Sequence, residues 1–214
     1  MMISKRLQEI SKYLNNYESL IDIGCDHGYL AYLGFNNYNI KKALLTDINQ
    51  EPLNNAYNNL NNYHYNIEYL KTNGLNNVNT YNYDVLAISG MGSKLISNIL
   101  IDSKDKLINF KRIILQPNNK PEVIRSILKE LNLKIIDEEV IFEYKYYPII
   151  VLENGFSDLN DEDIFLGPKL KFKKDKVTLN YYNFLLKTKL KIYLKSNNKE
   201  ILKEIDFLKN TLNN

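Results

Sequence analysis

The chain has 214 residues, 44% of them hydrophobic and 25% charged, with a single cysteine and a formal net charge of +3. That composition is globular and long enough for one α/β domain with a small appendage; it excludes a disordered chain and a disulfide scaffold. No apolar run reaches membrane-spanning length, the N-terminus lacks a signal-peptide core, and no Cys/His cluster has metal-ligand spacing. The expectation is a cytoplasmic, metal-free protein with no membrane partner.

In chain order, Ser4 can cap a helix carrying Leu7, Ile10 and Leu14 at helical spacing. Apolar runs then alternate with amphipathic stretches. Strands are expected at 19–24, 43–48, 67–70, 83–89 and 112–116, and helices at 28–35, 51–60, 93–101 and 121–131. This rhythm predicts a Rossmann-like α/β sheet, mostly parallel, with helices on both faces. Two adjacent strands at 134–144 and 146–153 leave no room for a helix and should form an antiparallel hairpin. A pure dinucleotide-binding fold would keep alternating, whereas a class I methyltransferase sheet ends in such a hairpin. That closes a first domain, 1–156. The acidic stretch 157–168 reads as a linker. Beyond it, Leu179, Tyr182, Leu186, Leu190 and Tyr193, then Ile201, Ile205, Leu208 and Leu212, predict a coiled-coil-like helical hairpin over 169–214.

The net charge hides an asymmetry. Residues 1–168 carry 16 Lys+Arg against 21 Asp+Glu, while residues 169–214 carry 12 Lys against 4 acids. A basic extension on an acidic body is the footprint of contact with a polyanion, although a solvated Lys-rich helix gives the same pattern. Lys169, Lys171, Lys173, Lys174, Lys187, Lys189 and Lys191 are the candidate phosphate contacts.

Of eight glycines, Gly24, Gly28, Gly74, Gly90 and Gly92 follow expected parallel strands. They mark the edge where open α/β sheets bind ligands. The first cluster, Asp22-Ile23-Gly24-Cys25-Asp26-His27-Gly28, has the strand–turn–helix skeleton of a nucleotide fingerprint, but Asp26 stands where the second glycine would be. A pyrophosphate would meet that carboxylate. A ligand with sulfonium and ammonium groups would not, so Asp22 and Asp26 favour S-adenosylmethionine over NAD. Asp47, followed by Ile48, ends the second strand and suits ribose hydroxyls, or else a helix cap. Asn73 with Gly74 could read the adenine edge, and Ser89-Gly90-Met91-Gly92 lies where donor and acceptor should meet. Gln116, Pro117 and Asn118 end the fifth strand on the same edge.

Together Ser4-Lys5-Arg6-Leu7, Asp22 through Leu30, Gly90-Met91-Gly92, Leu115-Gln116-Pro117-Asn118 and Gly167-Pro168 resemble one bacterial family, the tRNA (adenine-22-N1)-methyltransferases or TrmK group. The chain departs from that family at Thr72-Asn73-Gly74, where the family usually has G-D-G, and at Ser93. The resemblance implies an enzyme that takes tRNA as partner and methylates adenine 22 at N1; the alternatives are a methyltransferase acting on another RNA or a small molecule and a non-catalytic RNA-binding protein of the same fold, and a monomer is expected. Neutral adenine keeps a lone pair there, so orientation and desolvation can carry catalysis without a strong base. N1 lies on the pairing edge, so the base must be unpaired or flipped. Tyr29 is then expected to stack it and His27 or Asp26 to bond its amine, while Cys25 lines the turn.

Overall fold

The structure, a computed structural model, describes residues 3–213; the expected outer bounds at 1 and 214 fall outside them. Runs rich in branched apolar residues, separated by helices, pair as buried parallel strands. β1 (Ser19–Ile23) is buried at all five positions and is the middle one of the five parallel strands in a seven-stranded sheet. Its neighbours are β2 (Lys42–Asp47) and β4 (Val85–Met91), flanked by β3 (Ile67–Lys71) and β5 (Arg112–Pro117), all parallel. The hairpin of β6 (Leu133–Glu143) and β7 (Lys145–Asn154) adds antiparallel to β5, giving the order β3-β2-β1-β4-β5-β7-β6.

Helices α1 (Lys5–Ser11), α2 (Tyr29–Asn37) and α3 (Gln50–Leu60) cover one face, where Ile10, Leu30 and Leu53 meet Leu20, Leu45 and Val85. The opposite face carries α4 (Ser93–Asp102), α5 (Lys104–Leu107) and α6 (Glu122–Arg125), with Ile96 and Leu107 against Leu86 and Ile113. The helix expected over 121–131 is only four residues long. From Ile127 onward the backbone tightens into i→i+3 bonds, Ile127 to Ile124 and Leu128 to Arg125, and Asn132 turns the chain at positive φ.

The stretch 157–168, expected as a linker, holds helix α7 (Asp161–Leu166), which buries Phe165 and Leu166. Its start is set by a capping box in which Asn160 and Asp163 satisfy each other's backbone N–H groups. Acidic composition there encodes a helix N-terminus, favourable for the dipole, rather than a free connector. α8 (Lys176–Ser196), capped by Asp175, and α9 (Lys199–Asn213) fold back on each other as the two apolar stripes predict. Tyr181, Tyr182 and Leu208 bury against Val140 of β6 and against Phe165, Leu166 and Leu170.

One irregularity sets what the hairpin presents. A bulge lies between Ile135 and Asp137, so Ile135 pairs with Leu152 and Glu138 with Ile150. The extra residue inverts the alternation of every later side chain on β6. Glu138, Val140 and Phe142 therefore share the face of Ile135, toward α7 and α8.

Candidate functional site

β1, β2 and β4 end at one edge, and the turns that leave them enclose a cavity of about 470 Å³. Gly24 begins the first turn at φ 72, and its N–H and that of Cys25 both donate to Thr46 O at 2.8 and 3.2 Å. A β-carbon on Gly24 would collide with the Met91 methyl across the cavity. Asp26 follows at φ 48, a left-handed conformation that costs a non-glycine residue energy and that Asp tolerates better than most. The position where a dinucleotide turn has glycine thus keeps the glycine-like backbone while offering a carboxylate.

Three carboxylates line this wall: Asp22, Asp26 and Asp47. Asp22 is only 3% exposed and has no hydrogen-bond partner among the described residues. Burial, and secondarily the charge of Asp47, push its carboxyl up to about 7. Asp47 Oδ1 accepts from the Asn49 N–H at 2.8 Å, so the residue caps the following turn and still faces the cavity. The Cys25 thiol is pushed far up by burial, with Asp22 and Asp47 adding to the effect, and it stays a thiol rather than a nucleophile. At the mouth, His27 and Tyr29 stack with centroids 5.3 Å apart, and His27 Nε2 lies 3.6 Å from Asp26 Oδ1.

The opposite wall is cationic and aromatic. Arg6 and Lys145 both lie over the Tyr147 ring, at 5.2 and 5.0 Å. Sequence reasoning gives these three residues no site role. Arg6 belongs to the Ser4–Leu7 segment, which is a visible signal; Lys145 and Tyr147 have none, because their place depends on how far the hairpin reaches past β5. The Glu143 carboxylate accepts from the N–H groups of Lys5 and Arg6, which seats α1 against this wall.

Other expected site residues lie apart. Gln116 is fully buried; its Oε1 accepts from Arg6 at 2.6 Å and from the Gly90 N–H at 3.1 Å, and its Nε2 donates to Pro117 O. It braces the Ser89-Gly90-Met91 turn instead of facing the cavity. Asn118 does line the cavity and donates to Gly90 O at 2.5 Å. Ser89, Gly90 and Met91 line it too; Gly92 and Pro117 do not, and Gly92 caps α4. Gly28 caps α2 against Leu60 and Ala56, Gly74 lies against Ile99, and Ile48 and Asn73 are solvent-exposed. None of these four touches the cavity.

Among the expected phosphate contacts, Lys171 pairs with Glu162 and Asp163, Lys173 with Asp137, and Lys189 with Glu204. Lys174 donates to Thr211 O. Lys169, Lys187 and Lys191 are exposed and make no ion pair among the described residues. Much of the basic charge therefore holds the C-terminal helices in place. No group of three or more His, Cys, Asp or Glu side chains placed to hold a metal occurs among the described residues.

A family model described as tRNA (adenine(22)-N(1))-methyltransferase matches residues 20–214. The tRNA (adenine(22)-N(1))-methyltransferase of Bacillus subtilis is 32% identical over 219 residues, covering 95% of this chain and 92% of that protein. Sp1610 of Streptococcus pneumoniae, solved in complex with S-adenosyl-L-methionine, superposes with a TM-score of 0.91 at 29% identity, covering 99% of this chain and 100% of that one. TrmK of M. capricolum, solved with S-adenosyl-homocysteine, gives 0.85 at 31% identity, with coverage of 100% and 99%.

Proposed function

The chain belongs to the tRNA (adenine(22)-N(1))-methyltransferase family, and from that premise we infer that its sheet-edge cavity transfers the methyl group of S-adenosylmethionine to N1 of adenine 22 in tRNA. Asp22 is the observation that supports the reading most. A buried carboxyl without a partner, facing a cavity, calls for a cationic donor group, and the methyl donor has one in its ammonium. The residues present therefore fit the group. When bound, S-adenosylmethionine supplies an electrophilic methyl on a sulfonium centre.

The chain's own residues bind and orient. Asp22 and Asp47 receive the polar groups of the donor, and the Gly24 turn lets backbone approach it. His27 and Tyr29 offer a stacked platform at the mouth for an unpaired adenine, with Asp26 as an open acceptor for its exocyclic amine. With Cys25 held as a thiol, no covalent enzyme step is needed. No helix among the described residues is long and apolar enough to cross a membrane, and a tRNA substrate puts the work in the cytoplasm. Residues 169–214 are read as a unit anchored through 157–168.

Mass spectrometry of tRNA incubated with the protein and S-adenosylmethionine tests the function: 1-methyladenosine is expected at position 22. Donor binding with no methylated tRNA would refute it. Asp47→Ala should weaken donor binding by about 1.5–3 kcal/mol, the value of a hydrogen bond to a charged group; unchanged calorimetric affinity would leave Asp47 as a cap alone. For RNA, Lys187→Gln with Lys191→Gln should flatten the salt dependence of tRNA binding, by about one in log–log slope for each phosphate no longer neutralised. An unchanged slope would make both solvated surface. Removing everything after 168 is a poorer test, since it strips cover from Val140, Phe165 and Leu166.

A further inference from the structure

Strand β7 separates the donor cavity from a second groove. Tyr147 faces the cavity, while Tyr146 and Pro148 face a groove of about 420 Å³ between the hairpin tip and α8. Asn118 and Lys145 line both, so the two spaces adjoin. Three large rings are left in solvent there: Phe142 is 50% exposed, Phe184 52% and Tyr144 96%. Phe142 and Phe184 each lean on Tyr146, with centroids 5.0 and 5.5 Å away. Lys120 and Lys145 stand on the rim, and the nearby Glu143 carboxylate is occupied at the start of α1.

Tyr144 is the decisive residue. It turns the hairpin at φ 65, where glycine or asparagine would be less strained, and its ring meets almost only water. Folding gains nothing from an aromatic at that position. A strained, solvated ring beside other exposed rings and two cations has the chemistry of a stacking platform for unpaired bases. We propose that this groove is a second RNA subsite, in which unpaired bases flanking the target adenine stack on Phe142, Tyr144 and Phe184 while their phosphates meet Lys120 and Lys145. The proposal rests on tRNA as the substrate.

The test is binding of transcribed tRNA to the full chain, with donor affinity and melting temperature measured in parallel. Tyr144→Asn suits the left-handed backbone, so it should leave donor affinity unchanged and the melting temperature equal or slightly higher, and raise the tRNA dissociation constant about tenfold, the effect of losing one base stack. Tyr144→Phe should restore wild-type affinity, and Phe184→Ala should weaken binding independently. Wild-type affinity in both Tyr144→Asn and Phe184→Ala, with the wild-type chain active on tRNA, would overturn the subsite and leave the function standing. A changed oligomeric state with unchanged RNA affinity would assign the groove to a second copy of the chain and overturn it too. A wild-type chain that neither binds nor methylates tRNA would remove the proposal together with the function beneath it.

Discussion

Arg125→Met should lower the unfolding free energy by about 3–5 kcal/mol, the usual cost of stranding one partner of a buried ion pair. Arg125 and Glu138 are each 1% exposed at the side chain, with Arg125 Nε 2.7 Å from Glu138 Oε1. The pair does more than neutralise charge. Arg125 also donates to Ile164 O and Phe165 O at the end of α7, and Glu138 Oε2 accepts from the N–H groups of Lys169 and Leu170. One cluster thus ties α6, β6, α7 and the approach to α8. Gly167 sits so close that a β-carbon would lie 2.6 Å from Glu138 Oε2. Chemical denaturation measures the loss. Replacing both charges with apolar residues should recover only part of it, because the four backbone groups they satisfy would remain without partners. Full recovery in the double variant would reduce the cluster to a charge pair. Proteolysis should meanwhile cut Arg125→Met first between residues 155 and 176, where α7 loses its anchor.

Asp22→Asn should stabilise the ligand-free protein at pH 8 and weaken its grip on the methyl donor. Asp22 titrates near 7 in the folded state against an ordinary 3.8. Between those pH values the folded chain holds a proton that the unfolded chain has released, so stability falls as pH rises through the window. Roughly three pH units at about 1.4 kcal/mol each amount to about 4 kcal/mol withheld by pH 8. The amide removes that penalty, so the two proteins should match near pH 4, diverge progressively between pH 4 and 7, and differ by a constant amount above pH 7. The same carboxyl should make donor binding pH-dependent. A cationic group at Asp22 favours its ionised form, so affinity should rise up to tenfold per pH unit below 7 and level off above it. Calorimetry between pH 5 and 8 should show this slope in the wild type and lose it in Asp22→Asn. A flat wild-type profile would place the donor cation elsewhere.

Asp22, Gly24, Asp26 and Asp47 are legible in the sequence because they are local. Each sits within three residues of a strand end, and strand ends in a parallel sheet share one edge by topology. The same logic makes the alternation of strands and helices and the closing hairpin visible from apolar period alone. Where one local signal fits two outcomes, pattern alone misleads. The acids of 157–168 announce a helix start, which composition does not distinguish from a connector. The glycines at 28 and 74 pack closely against Leu60 and Ile99, outside the cavity lining. Gly167-Pro168 is visible as a motif, but its reason, the closeness of Glu138, is not.

What the sequence determined by itself is the doubly wound sheet, the edge that carries the cavity and the acidic character of that edge, all consequences of period-2 and period-3.6 patterns with turn chemistry between them. What the tertiary structure decided is which distant residues join that edge. A single bulged residue in β6 inverts the alternation and carries Glu138 to Arg125 and Phe142 to the groove. The overhang of the hairpin beyond β5 brings Lys145 and Tyr147 to within reach of Arg6. The fold-back of α8 on α9 engages Lys189 with Glu204, and the docking of the segment before α8 engages Lys171 with α7 and Lys173 with β6. Register, overhang and pairing across more than a hundred residues depend on packing energies summed over the whole core, and no local pattern encodes them.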